Sequence, residues 1–267
     1  MKSPHPATPA VICKSPRWAL YEELCSRIPD DLQVEGVLVG QHWTLVKSAI
    51  GVGIAMTPPE SRLHSMPDLD RYIGTKIGNM AELSKSWNPL DAALGVAAMN
   101  AYFNTPPTIR RHWRVAPGKQ KNESVFIAMK NEVAGSKVAV IGHFPDLDEL
   151  ARVCLLSILE RNPRQGDYPD PACEYILHDQ KYLFMTGVTL TNKTLPRLLE
   201  LGSASRMVLV GPSAPLAPLW FEKGLFMLAG TIVTDAGELW KHVALGGDRS
   251  IFRHGARTIK LKVEDIR

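Results

Sequence analysis

Tyr182-Leu183-Phe184-Met185-Thr186-Gly187-Val188-Thr189-Leu190-Thr191-Asn192-Lys193-Thr194-Leu195 begins wholly apolar, turns polar at Thr186 and passes into a helical stretch that runs to Leu201. A short apolar run, a glycine-containing loop and then a helix make the repeating unit of a parallel sheet covered on both faces. Similar runs occupy residues 137–141, 155–159, 207–210 and 226–233, with helical segments between them. The carboxyl half therefore reads as a doubly wound α/β domain.

The leading half has a different texture. Residues 17–28 carry Trp18, Leu20, Tyr21, Leu24, Cys25 and Ile28 at helical spacing and end against Pro29. Residues 34–56 are β-branched and glycine-rich, with runs at 37–39, 43–46 and 50–55, as in an antiparallel meander. Asn88-Pro89 starts a helix, since Asn88 can cap the first-turn amides, Pro89 fits the first position and Asp91 suits the positive end. That helix is expected to run to Phe103, where Asn104-Thr105-Pro106-Pro107 stops it. The stretch 105–123, with Pro117-Gly118 as a turn, reads as a linker. The expected division is an α+β domain over 1–120 and an α/β domain over 121–267.

The 267 residues hold 31 Lys and Arg against 27 Asp and Glu, for a net charge of +4, with 45% hydrophobic and 22% charged residues. That is the composition of a globular chain with a sizeable core, and it excludes disorder and fibre. The surplus is too small and too scattered for a nucleic-acid binder, and the clusters at 110–114 and 249–262 read as solvated surface. The longest apolar segment, 92–103, is about half of what a bilayer requires, so no membrane is expected. Cys13, Cys25, Cys154 and Cys173 show no metal or redox spacing and read as reduced, mostly buried thiols. Residues 1–18 hold no signal-peptide core, and the cytoplasm is the expected location.

Ligands of an open parallel sheet bind beyond the carboxyl ends of its strands, where helix amino termini offer unpaired N–H groups. Four loops qualify: Gly142-His143-Phe144-Pro145, Glu160-Arg161-Asn162-Pro163, Thr186 to Thr194, and Gly211-Pro212-Ser213-Ala214-Pro215. The third, with Thr186, Thr189, Asn192 and Thr194, reads either as a site for oxygen-rich or anionic groups or as a loop whose Asn192 or Thr194 caps the next helix. In the fourth, Ser213 is placed to cap a helix containing 216–223, and Gly211 permits close backbone approach to a ligand. Glu160 lies eighteen residues past Gly142, where nucleotide-binding sheets place a ribose-binding acid. The first loop lacks the Gly-x-Gly-x-x-Gly fingerprint, which disfavours a dinucleotide dehydrogenase, and no Walker loop is present. His143 follows a strand end and reads as a ligand contact or general base, or as a structural histidine. No His-Glu-x-x-His or cysteine cluster is present, so a metal would come with its ligand.

These loops, with Trp43-Thr44, Gly51-Val52-Gly53 and Ala97-Ala98-Met99-Asn100-Ala101, resemble the family described as putative heavy-metal chelation. The resemblance covers nearly the whole chain and is most specific at 186–194 and 211–218. It implies an enolase amino-terminal-like α+β domain followed by a Rossmann-like α/β domain with a mainly parallel sheet, and a site between them. Family members carry Thr where this chain has Ala214, which removes one hydroxyl. Combined with the loop reading, the resemblance implies a crevice lined by Glu160, Thr186, Thr189, Asn192 and Ser213 and closed by Asn100 and the Gly51–Gly53 region. The catalytic candidates are Glu160, Asp167 and Asn192. The ligand-binding candidates are Gly51, Gly53, Asn100, Gly142, His143, Thr186, Gly187, Thr189, Thr194, Gly211 and Ser213.

The ligand implied is a small heteroatom-rich molecule, a pterin-, flavin- or siderophore-like chelator or its precursor, which the chain binds and condenses or hydrolyses. The alternatives are a noncatalytic metal-chelate binding protein, an S-adenosylmethionine-type nucleoside-binding enzyme and a scaffold with an empty crevice. The cofactor and the metal are left unassigned, and a homo-oligomer is compatible with the sequence.

Overall fold

The computed structural model describes residues 16–60, 68–117 and 119–267; Cys13 and Gly118 lie outside them. Leu20, Tyr21, Leu24 and Cys25 recur at helical spacing and bury one face of α1 (Ala19–Ser26). A meander follows, β1 (Val34–Val39), β2 (Trp43–Ser48) and β3 (Gly51–Met56), antiparallel throughout and closed at Ser48↔Gly51. Beyond α2 (Ile77–Ala81), Asn88 Oδ1 accepts the N–H groups of Leu90 and Asp91 and opens α3 (Pro89–Phe103) as expected.

α3 is apolar on all sides, and a helix of that kind must be buried. It packs on β2 and β3. Contact is closest at Gly53, where a Cβ would stand 2.0 Å from Ala101 N and 2.1 Å from Ala97 O. Gly53 is therefore a packing glycine, needed for sheet and helix to touch.

The stretch expected as a linker carries α4 (Pro106–His112), with Thr105 Oγ1 accepting from Thr108 N–H. Trp113, in a cluster expected to be solvated, is fully buried and bridges to Ile266. An indole that large is retained inside by the apolar area it removes from water.

The remainder alternates as anticipated: α5 (Val125–Ala128), α6 (Lys130–Val133), β4 (Lys137–Ile141), α7 (Leu147–Ala151), β5 (Leu155–Glu160), β6 (Tyr168–Pro169), α8 (Cys173–Ile176), β7 (Tyr182–Thr186), α9 (Val188–Thr191), α10 (Leu195–Leu201), β8 (Arg206–Gly211), α11 (Leu219–Glu222), β9 (Leu225–Val233), α12 (Ala236–Ala244) and β10 (Ala256–Lys262). The large sheet runs β10-β9-β8-β7-β4-β5-β6, parallel except for β10 against β9. β10 lies in the basic stretch expected to be solvated. Its alternation buries Ile259 and Leu261 on one face and places Lys260 and Lys262 on the other.

The central strands bury both faces. Ala139, Ile141, Leu183, Met185 and Leu209 enter a core shared with α1 and α3. Val138, Val140, Tyr182, Phe184, Val208 and Val210 enter a second core under α5, α6 and α7. β5, near the sheet edge, is only half covered, and Leu155 is exposed. Chain direction across the sheet reverses between β4 and β7, which makes their carboxyl ends the topological switch point.

Candidate functional site

At the switch point, β4 ends on Gly142 with φ of 100° and β8 ends on Gly211 with φ of 101°. Both values lie in the left-handed region that glycine enters without steric cost. A Cβ at Gly142 would meet the Phe144 ring at 3.4 Å and Thr186 at 3.3 Å, and one at Gly211 would meet the same ring at 3.7 Å. The two turns and Phe144 therefore sit together over the strand ends.

The turn at Gly142 delivers His143 to two acids. Its backbone N–H donates to Glu160 Oε2 at 3.0 Å, and Glu160 Oε1 accepts the Arg161 N–H at 2.7 Å. Its ring Nδ1 lies 3.1 Å from Asp167 Oδ2, which also accepts the Arg164 N–H at 3.0 Å. The Asp167 side chain is 3% exposed and that of His143 is 24% exposed. An ionised carboxylate only accepts, so with Asp167 ionised the contact puts a proton on Nδ1, and in a neutral imidazole the lone pair then lies on Nε2. A buried acid that fixes the tautomer of a partly open histidine is the arrangement of a general base with its orienting group.

The third loop is bonded mainly to itself. Thr186 Oγ1 accepts from Val188 N–H, Thr189 Oγ1 donates to Thr186 O, and Asn192 Oδ1 accepts from both the N–H and the Oγ1 of Thr194. These bonds close α9, a helical turn not expected from the sequence. Neither Asn192 nor Thr194 caps α10 with its side chain, contrary to the capping alternative. Lys193 takes φ of 67° and turns back so that Nζ donates to Thr191 O at 2.8 Å. Burial lowers its pKa to about 8, against an opposing pull from Asp91.

The fourth loop is fastened to the leading half. Ser213 Oγ accepts the Met56 N–H at 2.9 Å, so it caps no helix; α11 begins at Leu219 behind Pro218. The distant backbone N–H of Met56 has taken the hydroxyl that the sequence offered to a local one. Asn100 Nδ2 donates to Ile54 O at 2.8 Å and Pro212 O at 3.1 Å. Gly187 lies flat on the loop, since a Cβ there would come within 2.4 Å of Ala214 N. Gly51 is pressed against Thr105 in the same way.

Asn104, expected only to end a helix, has a larger role. Nδ2 donates to Ala214 O and Thr231 O, and Oδ1 accepts the Leu216 N–H. No local pattern distinguishes this asparagine from an ordinary helix stop.

The candidates therefore fall into two groups. Gly142, His143, Glu160, Asp167, Thr186 and Gly211 surround the switch point. Asn100 and Ser213 bond across the seam between the halves, whereas Gly51 and Gly53 pack against Thr105 and α3 inside the leading half and Gly187 packs against the fourth loop inside the carboxyl half. Thr189, Asn192 and Thr194 brace the loop between the two groups.

A metal centre needs several converging donors. Among the described residues no group of three or more His, Cys, Asp or Glu could hold an ion. Each Glu160 oxygen and Asp167 Oδ2 already accepts an N–H group. Burial raises the thiol pKa of Cys25 and pushes that of Cys173 up to about 12, so both are protonated, poor metal ligands at neutral pH. These residues do not fit a bare heavy-metal ion. A cavity of about 450 Å³ between β1, β2 and α12 and another of about 360 Å³ at the amino ends of β4 and β5 lie away from these loops. No helix among the described residues is long and apolar enough to cross a membrane.

Comparison with known proteins adds lineage. A family model described as putative heavy-metal chelation (DUF364) matches residues 125–262, and a second with the same description (DUF4213) matches residues 21–103. An uncharacterized protein of Methanocaldococcus jannaschii is 27% identical over 226 residues, 80% of this chain and 82% of its own. The crystal structure of a protein with unknown function from the DUF364 family of Desulfitobacterium hafniense superposes with a TM-score of 0.85 at 37% identity, covering 92% of this chain and 98% of that one. A second DUF364 structure, from Pyrococcus horikoshii, is 21% identical with a TM-score of 0.75 over 92% of this chain and 99% of its own, and shares the fold.

Proposed function

The chain belongs to the DUF364 family, described as putative heavy-metal chelation, and from that premise we propose that it binds a small heteroatom-rich molecule, a metal chelator or its precursor, over the carboxyl ends of β4 and β7. The carrying observation is the His143 Nδ1–Asp167 Oδ2 contact at 3.1 Å beside the Gly142 turn. It supplies an oriented proton acceptor next to backbone that can approach a ligand closely. A metal is cargo in this reading and arrives already held by the chelator. His143 exchanges a proton with a ligand hydroxyl, amide or acid as a bond to that molecule is condensed or hydrolysed.

Two parts of the proposal rest on the family likeness and the strand order. Residues 1–120 are taken as an enolase amino-terminal-like unit and 121–267 as a Rossmann-like unit. The large sheet, counted in its own chain order, reads 3-2-1-4-5-6 with a seventh antiparallel strand, which supports the second assignment. The nucleoside alternative draws less support, because both Glu160 oxygens already hold backbone amides. A noncatalytic chelate-binding role is favoured by the same bonds, which make Glu160 a brace.

The test is protein purified without chelators, examined by native mass spectrometry and elemental analysis. A co-purified compound is expected, depleted at least tenfold in His143→Ala. Retention of the same compound at full occupancy by a folded His143→Ala, Glu160→Gln double variant would overturn the site.

A further inference from the structure

Lys193 is out of place as a surface lysine. Its backbone holds a left-handed φ of 67°, uncommon for a residue with a Cβ. That turn folds the side chain back over its own loop, where Nζ donates to Thr191 O and stands 6.0 Å from the centre of the Trp87 ring. It forms no ion pair among the described residues; Asp91, the acid that bears on it, accepts from Ser86 Oγ. Thr191 Oγ1, beside it, is buried without a hydrogen-bond partner among the described residues.

The neighbouring indole is equally unusual. Trp87 is 78% exposed, the residue before the Asn88 cap, and it meets Trp18 edge-on at 5.7 Å. With Trp18 it leaves an aromatic face open beside Nζ. A half-buried amine with no carboxylate in ion-pair contact among the described residues, next to an open indole, matches the surroundings in which lysines act as nucleophiles.

We propose that Lys193 is a reactive amine that condenses reversibly with the carbonyl of a small planar aldehyde or ketone resting on Trp87. The Nζ lone pair attacks the carbonyl carbon and forms the C–N bond. The carbonyl oxygen then leaves as water with the two amine protons, giving an imine; water reverses the step, and no electrons are exchanged with a third party. Trp87 supplies the apolar face, and the strained turn holds Nζ toward it. The inference goes beyond the function proposed above and does not rest on the His143–Asp167 contact.

A pKa near 8 gives about 200-fold more neutral amine at pH 7 than an ordinary lysine has. The full chain is treated at pH 7 with benzaldehyde and cyanoborohydride, and the modified lysines are timed by peptide mass spectrometry. Lys193 is expected to react at least tenfold faster than the exposed Lys119 and Lys241, with a rate midpoint near pH 8. Trp87→Leu is expected to slow it at least threefold. Lys193→Arg keeps a cation and a donor for Thr191 O, so the chain should stay folded while the fast site disappears. A Lys193 rate in the wild-type chain within threefold of Lys241, or one that Trp87→Leu leaves unchanged, overturns the proposal.

Discussion

Asn104 grips Leu216 across the seam between the halves: its Oδ1 accepts the Leu216 N–H at 2.8 Å while its Nδ2 donates to Ala214 O at 2.9 Å. The side chain is almost wholly buried, so every bond it makes replaces one that water would have made. Asn104→Ala orphans a buried N–H and two carbonyls and should cost about 2–4 kcal/mol. Chemical denaturation of the two proteins measures it, and a loss below about 1 kcal/mol would show that the seam is held otherwise.

Gly53→Ala should be more damaging. The new methyl would enter the α3 backbone at Ala97 and Ala101, where nothing flexible can yield. Little folded protein is expected, whereas Gly78→Ala, at a helical position with open space around it, should leave the melting temperature within a few degrees. Circular dichroism of the two variants decides the matter.

Asp167→Asn tests the orientation of His143. An amide at that position can present either oxygen or nitrogen to Nδ1, so the tautomer is no longer fixed. Ligand turnover or binding that depends on Nε2 as acceptor should fall at least tenfold, and the histidine ring nitrogens should change their ¹⁵N shifts. Unchanged shifts would remove Asp167 from the site.

The lowered pKa of Lys193 has a signed consequence for stability. Its folded value is near 8 and its unfolded value about 10.4. Between these the unfolded chain binds more protons, so this residue favours folding increasingly as pH rises from 8 to 10 and loses that contribution as pH falls. Lys193→Met, which removes the buried charge, should therefore melt higher than the wild type at pH 7, with the gap closing toward pH 10. A gap that is flat with pH would contradict the burial of this amine.

Much of the fold was readable in the residues. The wholly apolar runs of β4, β7, β8 and β9 announce strands buried on both faces, and Asn88-Pro89 announces α3 through a cap that needs only local atoms. β10 was not readable, because a strand covered on one face alternates Ile259 and Leu261 with lysines and looks like a basic tail. Site residues suffered from a related ambiguity. Ser213 can satisfy a local amide or a distant one, and the sequence contains no information on whether Met56 N–H will arrive. The hydroxyls of 186–194 appear open to a ligand until the loop closes and spends them on itself. His143 and Asp167 each stand out in the sequence separately, but their contact spans twenty-four residues and follows from β5 lying beside β4.

The apolar side chains of Ala139, Ile141, Leu183, Met185 and Leu209 lie in one continuous mass with α1 and α3. A fragment starting at residue 121 would present that oily face bare to solvent, and it should clump rather than stay dispersed. The shared core should make the chain melt in a single event, so that a lesion in either half is felt by the other.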